Sequence, residues 1–417
     1  MRIAVMVNSL VNTTDGIARH AIRLSREFAA LGHQVTIFAV EYDKSSCSKM
    51  VQNLPVESLR SPRLFDLPPV TITGLRMLTW LQSLQSTYFE QVKLSHMMSN
   101  EYDVVNPHGN LIIWSATEYK RRFGIPVVWM CNDYWPMAYH DPAISSSRLQ
   151  KLKLLIKNLI SLPIKTYDKK SVSEINEIVV LSELVRKQIA SYYGASPTII
   201  RLGVDVDKFS KGDGSWVKPY HSIRGSSFLL LTVCSLIFRR RLEDVIQAIG
   251  ILVSQGYDIK YIIVGRTTSE PEYTQFIRAQ IAEHNLENHV LLIGEVSEEE
   301  LVDYYDVCDA FIWPADENQS WGMAATEAMS SGKPIIVSRA NGLAEIIEDK
   351  ITGFLVSPRI PIAIADALKK LISNPSLAKS VGEAGQQLMR KEYSWRSHAN
   401  QMVGLFQRVM GKPSISI

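Results

Sequence analysis

Short apolar runs alternate with amphipathic stretches along almost the whole chain, and this alternation limits the fold more than any other feature. Strand-like runs fall at 2–8, 34–40, 103–107, 126–131 and 177–181. Between the first two, residues 16–31 read as a helix. Ala18, Ala21, Ile22, Leu24, Phe28 and Leu31 form one helical stripe, and Gly32 stops it. Residues 54–100 are less regular and are expected to carry insertions and helices. After Val204 a polar, Gly-containing stretch, DVDKFSKGDGSW, reads as a linker. A second series follows, with strands expected at 228–233, 260–264, 290–293, 310–313, 334–337 and 353–356. Helices are expected between them at 242–255, 271–285, 297–308, 322–331 and 362–373. Strands separated by helices of this length need crossover connections, which build parallel sheets from βαβ units. Two such series predict an α/β protein of two doubly wound domains, 1–205 and 206–393. Ligands in such sheets bind outside the carboxyl ends of the strands, here facing a central cleft.

Composition supports a folded chain of this size. At about 150 residues per domain, 417 residues make two or three domains. With 46% hydrophobic and 21% charged residues, a largely disordered chain is excluded. No run of about 18 uncharged apolar residues suggests a membrane-spanning helix. The N-terminal MRIAVMVNSL reads as a first strand rather than a signal peptide, so a cytoplasmic protein is expected. Cys47, Cys131, Cys234 and Cys308 are far apart and form no CxxC pair, so neither a disulfide framework nor a zinc site is expected. Cys131, Cys234 and Cys308 sit in apolar surroundings that suit buried thiols.

Net charge is +3, unevenly spread. Up to Lys211 there are 25 Lys and Arg against 18 Asp and Glu; beyond it, 20 against 24. The excess concentrates at 148–170, with Arg148, Lys151, Lys153, Lys157, Lys165, Lys169 and Lys170 against Asp168. Within it, Leu149, Leu152, Ile156, Leu159 and Ile160 share one helical face. Segment 148–163 suits either a helix packed on the first domain or peripheral contact with the inner face of an anionic membrane. The modest charge and the lack of a recognition motif speak against nucleic-acid binding.

The segment with most chemical content is 313–334, WPADENQSWGMAATEAMSSGKP. An apolar strand ends at Trp313, a polar loop follows, and a helix begins after Gly322. Glycine there lets the backbone approach a ligand. The N–H groups of Met323 and Ala324, at the helix start, can hold an anion. Glu327, one turn in, can accept hydrogen bonds from sugar or ribose hydroxyls.

This segment resembles the donor-binding signature of glycosyltransferase family 4, a group with the GT-B fold. Trp321-Gly322, Glu327-Ala328-Met329, Gly332 and Pro334 match it. The signature's first glutamate falls on Gln319, with Glu317 close by but out of register. The resemblance continues through GIARHAIRLSREFAALGHQVTIFA, DVVNPHGN, PVVWMCNDYWP, IVVLSELVRKQI, IIRLGVDVDKF, NGLAEIIEDKITGFLV and YSWRSHANQMVGLF. The last is similar to a terminal helix, 394–410, that crosses back to pack on the first domain. The order and spacing of these stretches carry the resemblance over nearly the whole chain.

The family implies two Rossmann-like domains and transfer of a sugar from a nucleotide diphosphate sugar, with retention and without a metal or other cofactor. The second domain binds the donor, the first a glycan or lipid-linked acceptor. The family's diphosphate-binding Lys falls on Arg240 in TVCSLIFRRRLEDVIQA, and its Arg falls on Ser235; Arg239 and Arg241 are candidate substitutes. Arg240 keeps the charge and adds a planar donor fork suited to phosphate. Gly265 joins the donor set. Gly16 is the one glycine left in a loop that usually brings amides near the phosphates. A family histidine after the strand 126–131 is replaced by Asn132, followed by Asp133; His108, in NPHGN, matches another. The implied catalytic set is therefore Arg240, Glu327, His108, Asn132 and Asp133. A non-catalytic partner subunit of this fold, favoured by the changes at Ser235, Asn132 and Gln319, and a nucleotide-sugar epimerase are the alternatives.

Overall fold

The computed structural model describes residues 1–11, 16–60, 76–132, 162–316 and 320–411; the side chains of 48, 49 and 76–86 are not among them. Asp133, Gln319 and most of the basic segment 148–163 lie outside the described residues. The chain divides into two compact units. One comprises Met1–Leu181, Val185–Ile200 and Ala399–Ile417; the other comprises Ser182–Leu184 and Arg201–His398.

The first unit holds β1 (Arg2–Leu10), β2 (Gln34–Tyr42), β3 (Val56–Arg60), β4 (Val104–His108), β5 (Val128–Cys131), β6 (Glu177–Val180) and β7 (Thr198–Ile199). They form one sheet in the order β3-β2-β1-β4-β5-β6-β7. The second unit holds β8 (Phe228–Val233), β9 (Ile259–Val264), β10 (Val290–Gly294), β11 (Ala310–Trp313), β12 (Ile335–Ser338) and β13 (Phe354–Val356), in the order β10-β9-β8-β11-β12-β13. Pairings such as β1 with β4 and β8 with β9 are parallel. Each sheet runs outward in both directions from its first strand, so each has a switch point: between β1 and β4, and between β8 and β11.

Interior strands are buried on both faces because helices cover both. All five residues of β4 and all four of β11 are buried. In the first unit one cluster gathers Phe38, Leu94, Tyr102 and Tyr119, and another gathers Trp114, Trp129, Val180 and Ile189. The expected strands and helices of the second series all form. Two strands of the first series were not expected: β3, in the irregular region, and the two-residue β7. Both are short and only half-buried, so neither carries an apolar run.

The stretch read as a linker is folded. Val206–Phe209 is a short helix whose Asp205 cap accepts the Lys208 N–H. Asp303 accepts from the Asp213 N–H at 2.9 Å and from Trp216 Nε1 at 2.8 Å. A Cβ on Gly214 would lie 2.5 Å from Asp303 O, so only glycine lets this turn lie against helix Glu298–Val307. The division between units falls before this stretch, at Ile200/Arg201. There Val204 N donates to Tyr393 O and His398 Nδ1 lies 2.8 Å from Arg201 O, which ties 201–204 to the second unit. The last helix, Trp395–Val409, starts in the second unit and continues in the first, where the Phe406 ring packs, tilted, 5.4 Å from that of Phe28.

Candidate active site

The expected donor residues lie where β8, β9 and β11 end. After β9, Gly265 has φ 140°, and a Cβ there would fall 2.0 Å from Cys234 O. Only glycine permits this approach, because both the left-handed backbone and the contact exclude a side chain. It brings the β8 and β9 loops together: Cys234 N donates to Val264 O and Leu236 N to Arg266 O. Ser235, half-buried, sits between them. A short turn, Phe238–Arg240, and the residue that caps it then deliver three arginines.

Their neighbours separate them. Arg241, at φ 56°, pairs with Glu243 at 2.6 Å and with Asp244 at 2.9 Å, and both carboxylates are buried. Its charge is thus engaged in starting helix Leu242–Ser254. Arg239 anchors the turn through its carbonyl, which accepts the Asp316 N–H at 3.1 Å. The Arg240 guanidinium lies 4.8 Å from the centre of the Trp313 ring, in a cation–π contact at the end of β11. The Arg240 charge also acts on Cys234, whose thiol burial pushes up to about 11 against that opposing pull. Cys234 is therefore a thiol, not a thiolate, at neutral pH.

Trp313 joins this turn to the next. A Cβ on Gly322 would sit 3.0 Å from Trp313 Nε1, so the Trp321-Gly322 turn rests on the indole edge. The Gly322 carbonyl accepts the N–H groups of Ala325 and Thr326, both at 3.0 Å. That leaves the Met323 and Ala324 N–H groups at the open end of helix Met323–Ser330, without an acceptor among the described residues. Glu327 is buried, 3% exposed, and accepts a hydrogen bond from Tyr305 Oη at 2.9 Å. The structure thus brings together Arg240, Gly322, Met323 and Ala324 on one tryptophan, with Ser235 and Gly265 in the adjoining loops and Glu327 one helical turn away. Trp313 and Tyr305 are absent from the sequence-derived set. A tryptophan closing an apolar strand is the signal for the first; the second reads from sequence as core.

In the first unit, His108 ends β4 and is fully buried. Its Nε2 donates to Asn106 Oδ1 at 2.9 Å, and Asn106 Nδ2 donates to Val128 O. Asn132, just past β5, donates through Nδ2 to His20 Nδ1 at 2.5 Å, and the His20 ring stands edge-on to His108 at 5.0 Å. Asn132 and His108 therefore meet through His20, a residue the sequence analysis did not single out. Its signal was a polar side chain at a buried position of helix Gly16–Ala30. Gly16 is exposed at the start of that helix, one turn ahead of His20. No group of three or more potential metal ligands is found among the described residues.

Residues 14–208 match the family profile described as Glycosyltransferase Family 4, and residues 218–388 match the one described as Glycosyl transferases group 1. The capsular polysaccharide biosynthesis glycosyltransferase CapM of Staphylococcus aureus is 23% identical over 225 residues, 52% of this chain and 58% of that protein. An uncharacterised glycosyltransferase of Methanocaldococcus jannaschii is 21% identical over 95% of each chain. Among solved structures, HepE of Anabaena in complex with UDP-glucose superposes with a TM-score of 0.75 at 15% identity, covering 97% of this chain and 99% of that one. With one family profile on each doubly wound unit, the chain is a GT-B glycosyltransferase of the family 4, group 1 kind.

Proposed function

We propose that the protein transfers a sugar from a nucleoside diphosphate sugar to a hydroxyl of a glycan or lipid-linked acceptor, with retention, in polysaccharide or glycoconjugate synthesis. One observation carries the donor half of this reading. Arg240 and the open N-terminus of helix Met323–Ser330 converge on Trp313, although more than 80 residues separate them in sequence. A cation and helix-start amides in one place suit a diphosphate. HepE, of the same fold, was solved with UDP-glucose.

In the reaction the bond from the anomeric carbon to the diphosphate breaks, and a bond to the acceptor oxygen forms on the same face. The acceptor proton passes to the departing phosphate. Negative charge grows on the leaving diphosphate. Arg240 and the Met323 and Ala324 amides are fixed before the reaction begins, so they stabilise that charge without reorganising. This assigns charge neutralisation to the chain itself and needs no metal. Glu327 holds donor hydroxyls, Gln319 contacts the sugar, and Ser235, Gly265 and Gly16 contact the donor. His108, Asn132 and Asp133 serve the acceptor side, His108 from beneath as a buried support. Peripheral membrane contact through 148–163 would suit a lipid-linked acceptor. Sedimentation with anionic vesicles tests it, and no co-sedimentation sinks it.

The deciding experiment is a thermal-shift and hydrolysis screen with UDP-, GDP- and ADP-sugars. At 100 times its Kd, a ligand confined to the native state adds about 2.7 kcal/mol of stability. One donor is expected to raise the melting temperature of the native protein and to lose that effect with Glu327→Ala and Arg240→Ala. Absence of binding and hydrolysis with all three overturns the reading.

A further inference from the structure

A buried carboxylate keeps one orientation only if something rigid holds it. Glu327 is 3% exposed, and Tyr305 Oη donates to its Oε2 at 2.9 Å. Tyr305 is itself fully buried, on helix Glu298–Val307. Its ring stands edge-on to Phe209 at 5.7 Å and packs against Phe311 at 5.9 Å. Phe311 belongs to β11, the strand that ends at Trp313. Phe209 closes the short helix Val206–Phe209, which Lys208 pins to Glu298 at 2.7 Å. With its ring buried against two aromatic neighbours, the phenol is held in place and does not follow a carboxylate that turns away.

We infer that Tyr305 is a positioning residue: its hydroxyl fixes the Glu327 carboxylate in the orientation that receives donor hydroxyls. The inference rests on the reading of Glu327 as a donor ligand. The physical basis is preorganisation. A carboxylate already held in place loses little freedom when donor hydroxyls reach it, whereas a released one must be ordered by the ligand. Tyr305 is fully buried, and its hydroxyl acts on the site through the Glu327 carboxylate it donates to. Folding of residues 206–209 onto the second unit thereby contributes to the donor site, because Phe209 forms one wall of the phenol.

The test is a double-mutant cycle on donor affinity. The probe is whichever of UDP-glucose, GDP-mannose and ADP-glucose binds the native protein most tightly by titration calorimetry. Tyr305→Phe keeps the ring and removes the hydroxyl, and is expected to weaken binding about tenfold, the loss typical of a single charge-assisted hydrogen bond. Glu327→Gln is expected to weaken it at least as much, and Tyr305→Phe added to Glu327→Gln should cost nothing more. If the two losses multiply, Tyr305 acts through packing and the inference is overturned. If Glu327→Gln weakens binding and Tyr305→Phe does not, the inference fails while the role of Glu327 stands. If Glu327→Gln leaves affinity unchanged, or no probe binds, the donor-site reading itself fails. Phe209→Leu, which keeps the hydroxyl but loosens its wall, is a second variant should Tyr305→Phe not fold. It is expected to weaken binding two- to threefold, and only while Glu327 is present; no loss overturns the inference.

Discussion

Arg240 and Arg241 are neighbours with the same charge, yet the fold gives them different partners. Arg241 neutralises two buried carboxylates, and Glu243 is a costly one, since burial pushes its carboxyl pKa up. Arg241→Ala leaves both acids without their cation and should cost about 3 kcal/mol of stability, read as a lower urea midpoint. Arg240 lies on Trp313, so Arg240→Ala should leave the fold intact but lower donor turnover by about 10²- to 10³-fold. Arg240→Lys should recover part of the loss, because it keeps the charge and lacks the fork. Steady-state kinetics beside chemical denaturation separates the two arginines. At Gly265 the backbone is the constraint. Gly265→Ala puts a Cβ 2.0 Å from a carbonyl at φ 140°, and should destabilise by at least about 2 kcal/mol, visible in thermal melts.

Among the elements, residues 205–216 differ most from expectation. Their polar, Gly-rich sequence has the composition of a linker. Asp303 turns them into structure by taking a backbone N–H and an indole N–H from the same stretch. Asp303→Ala removes both acceptors and should cost about 1–3 kcal/mol. It should also expose this stretch to limited proteolysis, which mass spectrometry of the fragments would locate. Helix Met323–Ser330 shows the opposite case, an element whose start and extent follow from its sequence. Glycine at its start, good helix formers after it and a glutamate one turn in are all legible. What stands beside it is not: Arg240 reaches Trp313 because β11 lies beside β8 at the switch point.

Across the molecule, the buried histidines set a pH dependence. His398 is fully enclosed on the last helix, and burial holds its pKa down to about 4 despite the bond to Arg201 O. In the unfolded chain it protonates near 6.5. Above that pH it is neutral in both states and contributes nothing. As pH falls from 6.5 to 4, only the unfolded chain takes up the proton, so stability is lost at up to about 1.4 kcal/mol per pH unit, about 3 kcal/mol in all. His33 and His221, whose burial also lowers their pKa, act in the same direction. Urea midpoints between pH 7 and pH 4 should fall steeply, and His398→Gln should flatten the curve. No helix among the described residues is long and apolar enough to cross a membrane.

Strand–helix alternation, carried by apolar periodicity, determined the fold class and most of the elements, because a buried parallel strand must be apolar along its length. The Gly322–Glu327 segment, with the order and spacing of the other matching stretches, carried the resemblance to the family, because each stretch is short and continuous in sequence. Tertiary structure alone decided which partners each of three consecutive arginines meets, that a polar linker folds, and that His20 contacts both Asn132 and His108. Each of these depends on a partner far away in sequence: Trp313 for Arg240, Asp303 for the linker, and two strand ends for His20. Local pattern fixes what a segment can become; long-range contact fixes which side chains it meets.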